Sequence, residues 1–223
     1  MTNEKSRKKG TASGKISQPT AQIENHFREL GYELIAGGDE AGRGPWAGPV
    51  FAAFVILPQK FSLEDLNDSK KLSRNVRTRL FKEIKQQAQD FGIGISSEQE
   101  IDQMNILEAT RLAFKRAFEN LKKTPDFLIL DYIKLPWLKV SHEAFVKGDS
   151  LSVSIAAASI LAKEARDLHM DKMDSLYPGY GFGNHKGYGT PEHVKSLEKL
   201  GPSPIHRKSF KPVKKYLQPN LPL

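Results

Sequence analysis

Apolar residues recur along this chain with two periods, about 3.6 in some stretches and about 2, or unbroken, in others. TAQIENHFREL (20–30) follows the helical period, with Thr20 near its N-cap. YELIAGGD (32–39) reads as a strand, and the β-rich FAAFVILP (51–58), bounded by prolines, as a second. SRNVRTRLFKEIKQQAQ (73–89) is a helix capped by Ser73, with Val76, Leu80, Phe81 and Ile84 along one face. A third strand, FGIGISS (91–97), precedes the amphipathic helix NILEATRLAFKRAFENLKK (105–123). Pro125 opens the short apolar strand DFLILD, which ends on Asp131, and a fifth strand is expected around AFVKGD, ending on Asp149. SLSVSIAAASILAKEARDLHMDKM (150–173) is a long helix rich in small side chains. TPEHVKSLEKLG (190–201) is the last helix, with Pro191 in its first turn and Gly201 past its end. No internal repeat interrupts this order. Strands and helices interleave, so the expected class is α/β or α+β with a mixed sheet.

Composition narrows the picture. The 223 residues are 39% hydrophobic, enough for one real core in one large domain. The absence of cysteine excludes a disulfide scaffold, a thiolate metal site and a thiol nucleophile, and fits a reducing cytoplasm. No stretch reaches the roughly 18 apolar residues of a membrane span, and residues 1–20 lack the apolar run of a signal peptide. The net charge of +8 sits at the ends. Residues 1–20 hold five bases and one acid, and residues 202–223 hold five bases and no acid, so the body is near neutral. Residues 1–20 read as a disordered tail and residues 21–223 as the folded unit. A basic end is more often solvated than bound, yet two of them favour a polyanionic partner.

Several motifs fail on inspection. GTASGKIS (10–17) has three residues between its glycines and Ile16 after Lys15, which is not a phosphate loop. Gly42-Arg-Gly44-Pro-Trp-Ala47 matches a dinucleotide fingerprint in letters, but prolines and a strand follow where a helix must open. The acids are more informative. Asp39, Asp131 and Asp149 each close an apolar segment, and Glu40 adjoins the first. One such Asp is usually a turn or cap residue; three on strands that end together would converge. Converging carboxylates repel and raise one another's pKa unless cations join them, and an oxygen-only donor set suits Mg²⁺ or Mn²⁺. Two such ions can activate water and stabilise a leaving oxygen in phosphodiester cleavage. Gly42 and Gly44 would let backbone approach a sugar or phosphate beside the charge of Arg43, although a plain tight turn takes glycines equally well. Tyr188, in the glycine-rich HKGYGT (185–190), could stack on a sugar or base or simply pack its loop.

The chain closely resembles bacterial ribonuclease HII, the type 2 ribonucleases H. The matching segments, in family order, are GGDEAGRGPWAGPV, LNDSKKLS, EIDQMNILEAT, FLILD, KGDSLSVSIAAASILAKEARD, YPGYGFGNHKGYGT and GPSPIHRKSF, over roughly residues 33–212. The sister type, ribonuclease HIII, carries Thr in place of the arginine between the two glycines. Gly38, Trp46 and Tyr132 stand where the family often has Val, Leu and Gly.

The resemblance implies a ribonuclease-H-like mixed sheet flanked by helices, with a smaller helical C-terminal part. It implies a monomeric cytoplasmic endonuclease that cleaves RNA in RNA–DNA hybrids and 5′ to a single ribonucleotide embedded in duplex DNA, leaving a 3′-hydroxyl and a 5′-phosphate. Carried over residue by residue, Asp39, Glu40, Asp131 and Asp149 match the catalytic, metal-binding acids. Gly42, Arg43 and Gly44 match the motif that reads the ribose 2′-hydroxyl, and Tyr188 the tyrosine that stacks on the following deoxyribose. Lys70 or Lys71 meets a phosphate. Because adjacent strand residues face opposite ways, the chain is expected to turn at Glu40 if both acids serve one site. Two rival readings are another nuclease or recombinase with an acid-lined sheet, and a non-enzymatic nucleic-acid-binding protein whose acids only cap turns.

Overall fold

The structure, a computed structural model, describes residues 18–217. Its centre is a five-stranded mixed sheet of β1 (Ile35–Ala41), β2 (Val50–Ile56), β3 (Asp90–Ser96), β4 (Phe127–Asp131) and β5 (Ser141–Phe145), in the order β3-β2-β1-β4-β5. β1, β2 and β3 pair antiparallel, whereas β4 runs parallel to both β1 and β5. Seven of seven residues of β2 are buried, as its unbroken apolar run requires of a strand covered on both faces.

Helices cover the two faces. On one lie α3 (Glu98–Met104) and α4 (Ile106–Glu119), whose Ala109, Ala113, Phe114 and Ala117 pack on Phe54, Leu128 and Leu130. On the other lie α2 (Arg74–Gln87) and the long α5 (Val153–Leu176), whose alanines pack on Ala53, Val55, Leu80 and Ile84. The small residues of α5 let its backbone lie directly on the sheet. A Cβ at Gly37 of β1 would stand 2.3 Å from the carbonyl carbon of Ser154. The short α1 (Gln22–Glu29) is fastened by Phe27, stacked on Phe127 with ring centroids 3.9 Å apart. The C-terminal part carries α6 (Phe182–His185), α7 (Pro191–Leu200) and α8 (Lys211–Lys214), and a small core of Ala47, Met170, Tyr180, Phe182 and Ile205.

Local signals placed most elements. Ser73 caps α2 through the Val76 amide, and Thr190 caps α7, with Pro191 inside its first turn. Three expectations need correction. The fifth strand lies earlier, at Ser141–Phe145, and Asp149 sits beyond it in a 3₁₀ turn over Gly148–Ser150, entered through left-handed Lys147. The helix expected to begin at Ser150 begins at Val153, capped by Ser152. Helix α3 had no counterpart among the expected elements, although Ser97 and Glu100 form a capping box legible as Ser-x-x-Glu. The described chain begins at residue 18, just ahead of the expected boundary after residue 20. Pro19 is buried, and Thr20 exchanges backbone hydrogen bonds with Leu151 and Val153, while the N-cap of α1 is Ala21. The rest of the expected tail, residues 1–17, lies outside the described residues.

Candidate active site

Strand register brings the first two aspartates together. Gly38 of β1 pairs with Leu130 of the parallel β4, so Asp39 and Asp131 are next-door neighbours across the ladder. Alternation puts both on the α5 face, because Gly37 meets Ser154 there and Ile129 packs with Ile155. The 3₁₀ turn leading into α5 then delivers Asp149, and its Gly148 amide donates to Asp131 Oδ1 at 2.8 Å. One carboxylate oxygen from each of Asp39, Asp131 and Asp149 lies within 4.8 Å of the others. None of the three acids caps α5, since Ser152 does so.

Glu40 behaves differently. β1 stays paired through Glu40 and Ala41, opposite Ala52 and Phe51, so the chain does not turn at Glu40. Its side chain therefore leaves from the other face, with Ala36 and Gly38, and stands outside the three-aspartate group. Glu40 Oε1 accepts from Arg43 at 3.2 Å, and its buried Oε2 has no partner among the described residues. The turn comes at Gly42, with φ +101°.

The electrostatics are those of a cation site. Burial pushes the Asp39 carboxyl well up, and the charges of Glu40 and Asp131 add to it. Burial also raises Glu40, against the opposing pull of Arg43. Asp149 is raised by burial, then by Asp68 and Asp131. Oxygen donors crowded this closely, plus an unpartnered buried Oε2 on Glu40, fit Mg²⁺ or Mn²⁺ and no soft metal.

Beside the acids opens a cavity of about 250 Å³, lined among others by Glu40, Gly42, Arg43, Gly44, Lys70 and Tyr188. The Arg43 side chain is 46% exposed and Tyr188 46%, so both can meet a ligand. Lys70 Nζ lies 3.8 Å from Asp149 Oδ2. Burial works against its charge, but Asp39, Asp149, Asp68 and Asp131 together raise its pKa. Lys71 is not among the lining residues, so the structure separates the two lysines. Tyr132, directly after Asp131, is 74% exposed and held at φ +36°, a backbone that favours glycine. The sequence reading missed Ser69, Ser159 and Lys163. Ser159 Oγ lies 2.8 Å from Ser69 Oγ, both residues line the cavity, and Lys163 follows one turn later on the same helix. A serine at 159 within the small and apolar run AAASILA, and a lysine four residues on, were the available signal.

A family model described as ribonuclease HII matches residues 36–213. The chain belongs to the ribonuclease HII family. The ribonuclease HII of Desulfitobacterium hafniense is 57% identical over 187 residues, spanning 84% of this chain and 72% of that protein. That of Syntrophotalea carbinolica is 50% identical over 195 residues, 87% of this chain and 93% of that protein. Among solved structures, the ribonuclease H2 of Pyrococcus horikoshii superposes with a TM-score of 0.67 at 25% identity, over 82% of this chain and 97% of that one. Bst-RNase HIII in complex with Mn²⁺ shares the fold with a TM-score of 0.65 at 20% identity, over 85% and 71%. Ribonucleases HII are metal-dependent nucleases that cleave RNA in RNA–DNA hybrids, and this chain is such an enzyme. Among the described residues no helix is long and apolar enough to cross a membrane.

Proposed function

We propose that this ribonuclease HII also incises duplex DNA at a single embedded ribonucleotide, on its 5′ side, by two-metal-ion hydrolysis. The observation that carries this reading is the meeting of three aspartate oxygens within 4.8 Å beside a cavity that holds Gly42, Arg43, Gly44 and Tyr188 together.

Asp39, Asp131 and Asp149 are the residues to hold the cations, with the free Oε2 of Glu40 as a further ligand from the other face of β1. Bound Mg²⁺ or Mn²⁺ lowers the pKa of water and neutralises charge on the leaving oxygen. The chain's own residues do the rest. Gly42 and Gly44 bring backbone close to the ribose 2′-hydroxyl, the group that separates RNA from DNA, while Arg43 faces the adjoining phosphate. Tyr188, half exposed across the cavity from Gly44, stacks on the deoxyribose that follows. Lys70, rather than Lys71, meets a phosphate beside Asp149. Water oxygen bonds to phosphorus and the bond from phosphorus to O3′ breaks, giving a 3′-hydroxyl and a 5′-phosphate. The rival in which the acids only cap turns fits poorly, because Ser152 occupies the cap position that reading needs for Asp149.

The test is a nicking assay on duplex DNA with one ribonucleotide, with and without Mg²⁺ or Mn²⁺. Cleavage should need metal, fall 5′ to the ribonucleotide and vanish in Asp39→Asn. Cutting of an all-deoxy control, or near-normal turnover by Asp39→Asn, would overturn the reading.

A further inference from the structure

The geometry points to the segment Ser203–Arg207 as a positioning element that fixes both halves of the recognition site: Arg207 the Gly42–Arg43 turn, and His206 the Tyr188 loop through His193. This inference rests on the reading above of Gly42–Gly44 and Tyr188.

The segment threads between the two loops. His206 bridges Ala47, the Arg207 amide donates to Trp46 O, and Gly48 donates to Ile205 O. On its other side Trp46 donates to Gly187 O, one residue before Tyr188. Arg207 is fully buried and, among the described residues, faces no carboxylate within bonding distance. Its guanidinium instead donates to three backbone carbonyls, Gly42 at 2.5 Å, Arg43 at 3.0 Å and Gly48 at 2.9 Å. A buried cation lowered in pKa to about 9 by desolvation is a costly way to hold a turn that glycine could close alone. The fork fixes the carbonyl directions of residues 42 and 43, and so the peptide planes that offer their amides to the cavity.

The histidines form a chain whose proton positions are dictated by backbone donors. The Ser203 amide donates to His206 Nδ1 at 2.8 Å, so His206 carries its proton on Nε2. That Nε2 faces His193 Nε2 at 2.9 Å and donates to it. His193 therefore carries its proton on Nδ1, which donates to Tyr188 O at 2.9 Å. One unbroken line of donors thus runs from the C-terminal segment to the backbone of the residue proposed to stack. His193 and His206 are both buried, and neither touches the cavity.

His206→Asn is the clean perturbation. The Asn oxygen can stand in for Nδ1 and keep the Ser203 amide satisfied, while nothing remains to reach His193. The readout is the rate ratio between a duplex with one embedded ribonucleotide and a uniform RNA–DNA hybrid, which offers no RNA-to-DNA step. Tyr188→Ala is expected to lower that ratio by roughly tenfold or more, as loss of stacking implies. His206→Asn should lower it several-fold in the native protein and not at all in the Tyr188→Ala background, since the relay then has nothing to position. Arg207→Lys, which keeps the charge and loses the fork, should reduce the affinity ratio of ribonucleotide-containing over all-deoxy duplex while leaving all-deoxy affinity unchanged. If Tyr188→Ala leaves the ratio intact, the recognition reading fails and this inference with it. If Tyr188→Ala lowers the ratio but His206→Asn acts equally in both backgrounds, or Arg207→Lys weakens both duplexes alike, the segment is merely structural and the inference alone is overturned.

Discussion

Gly42 and Gly44 flank the same arginine, yet a methyl at each should have opposite consequences. Gly42 sits at φ +101°, where an L side chain costs about 1–2 kcal/mol. Its Cβ would also fall 2.2 Å from Arg166 Nε, 2.6 Å from Arg166 Cδ and 2.9 Å from Pro49 O. Arg166 cannot step aside cheaply, because it is buried and donates to Pro49, Ala47 and Lys186 carbonyls. Losing one such charged hydrogen bond costs about 1.5–3 kcal/mol, so Gly42→Ala should destabilise by roughly 3–5 kcal/mol. At about 2–4 °C per kcal/mol for a domain of this size, melting should fall by roughly 6–20 °C. Gly44 has no left-handed backbone, and its Cβ would meet nothing nearer than Tyr188 Cε1 at 3.6 Å, an ordinary contact. Gly44→Ala should therefore melt within about 0.5 kcal/mol of the native protein. Its methyl, however, stands in the cavity where the ribose backbone must approach, and should cost about ten- to a hundredfold in kcat/KM on a single embedded ribonucleotide. Thermal melts and cleavage rates on the two purified variants suffice. A Gly44→Ala protein that melts as low as Gly42→Ala, or cleaves at the native rate, would refute this division between a glycine required by the fold and one required by the ligand.

Three further outcomes are expected. Asp39→Asn should melt higher than the native protein at neutral pH without metal, because it removes a carboxyl whose pKa burial, Glu40 and Asp131 push up. Such an acid stabilises the fold only as pH falls and it protonates, so the gain should shrink in mild acid and when Mg²⁺ or Mn²⁺ is present; equal melts at every pH would contradict the assignment. Burial lowers His193 and His206 to about 4, with His185 lowering both further and His193 lowering His206, so the unfolded chain takes up protons first and stability should drain away as pH falls from about 6.5 to 4. Denaturant titrations should show a shallower loss in His206→Asn than in the native protein, and an identical slope would remove these rings as the cause. Lys70→Gln should lower the salt slope of duplex binding by roughly one unit, and Lys71→Gln should leave it unchanged, as measured by affinity against ionic strength.

The periodicities were local signals, and local physics honoured them. The Ser73 cap, Pro191 at the start of α7 and Gly201 beyond its end were legible because each is a signal within one helical turn. Asp39 and Asp131 were legible for a related reason, since each sits on an apolar strand whose own pattern marks it. Asp149 was found as a residue but misplaced as an element: the left-handed backbone at Lys147 breaks the strand pattern, and no propensity announces a 3₁₀ turn there. That Glu40 leaves from the opposite face followed from the pairing of Glu40 with Ala52, which only the partner strand decides. The choice of Lys70 over Lys71 depended on where the 3₁₀ turn at Ser69–Lys71 rests against Asp149. Arg207 and Gly42 are 165 residues apart in sequence, and His206 and Tyr188 share no element. The sequence determined which segments fold and which side chains could do chemistry, because those depend on neighbours a few residues away. Tertiary structure alone decided which of those side chains meet, because convergence is set by strand register and loop path, and neither leaves a periodic mark on the chain.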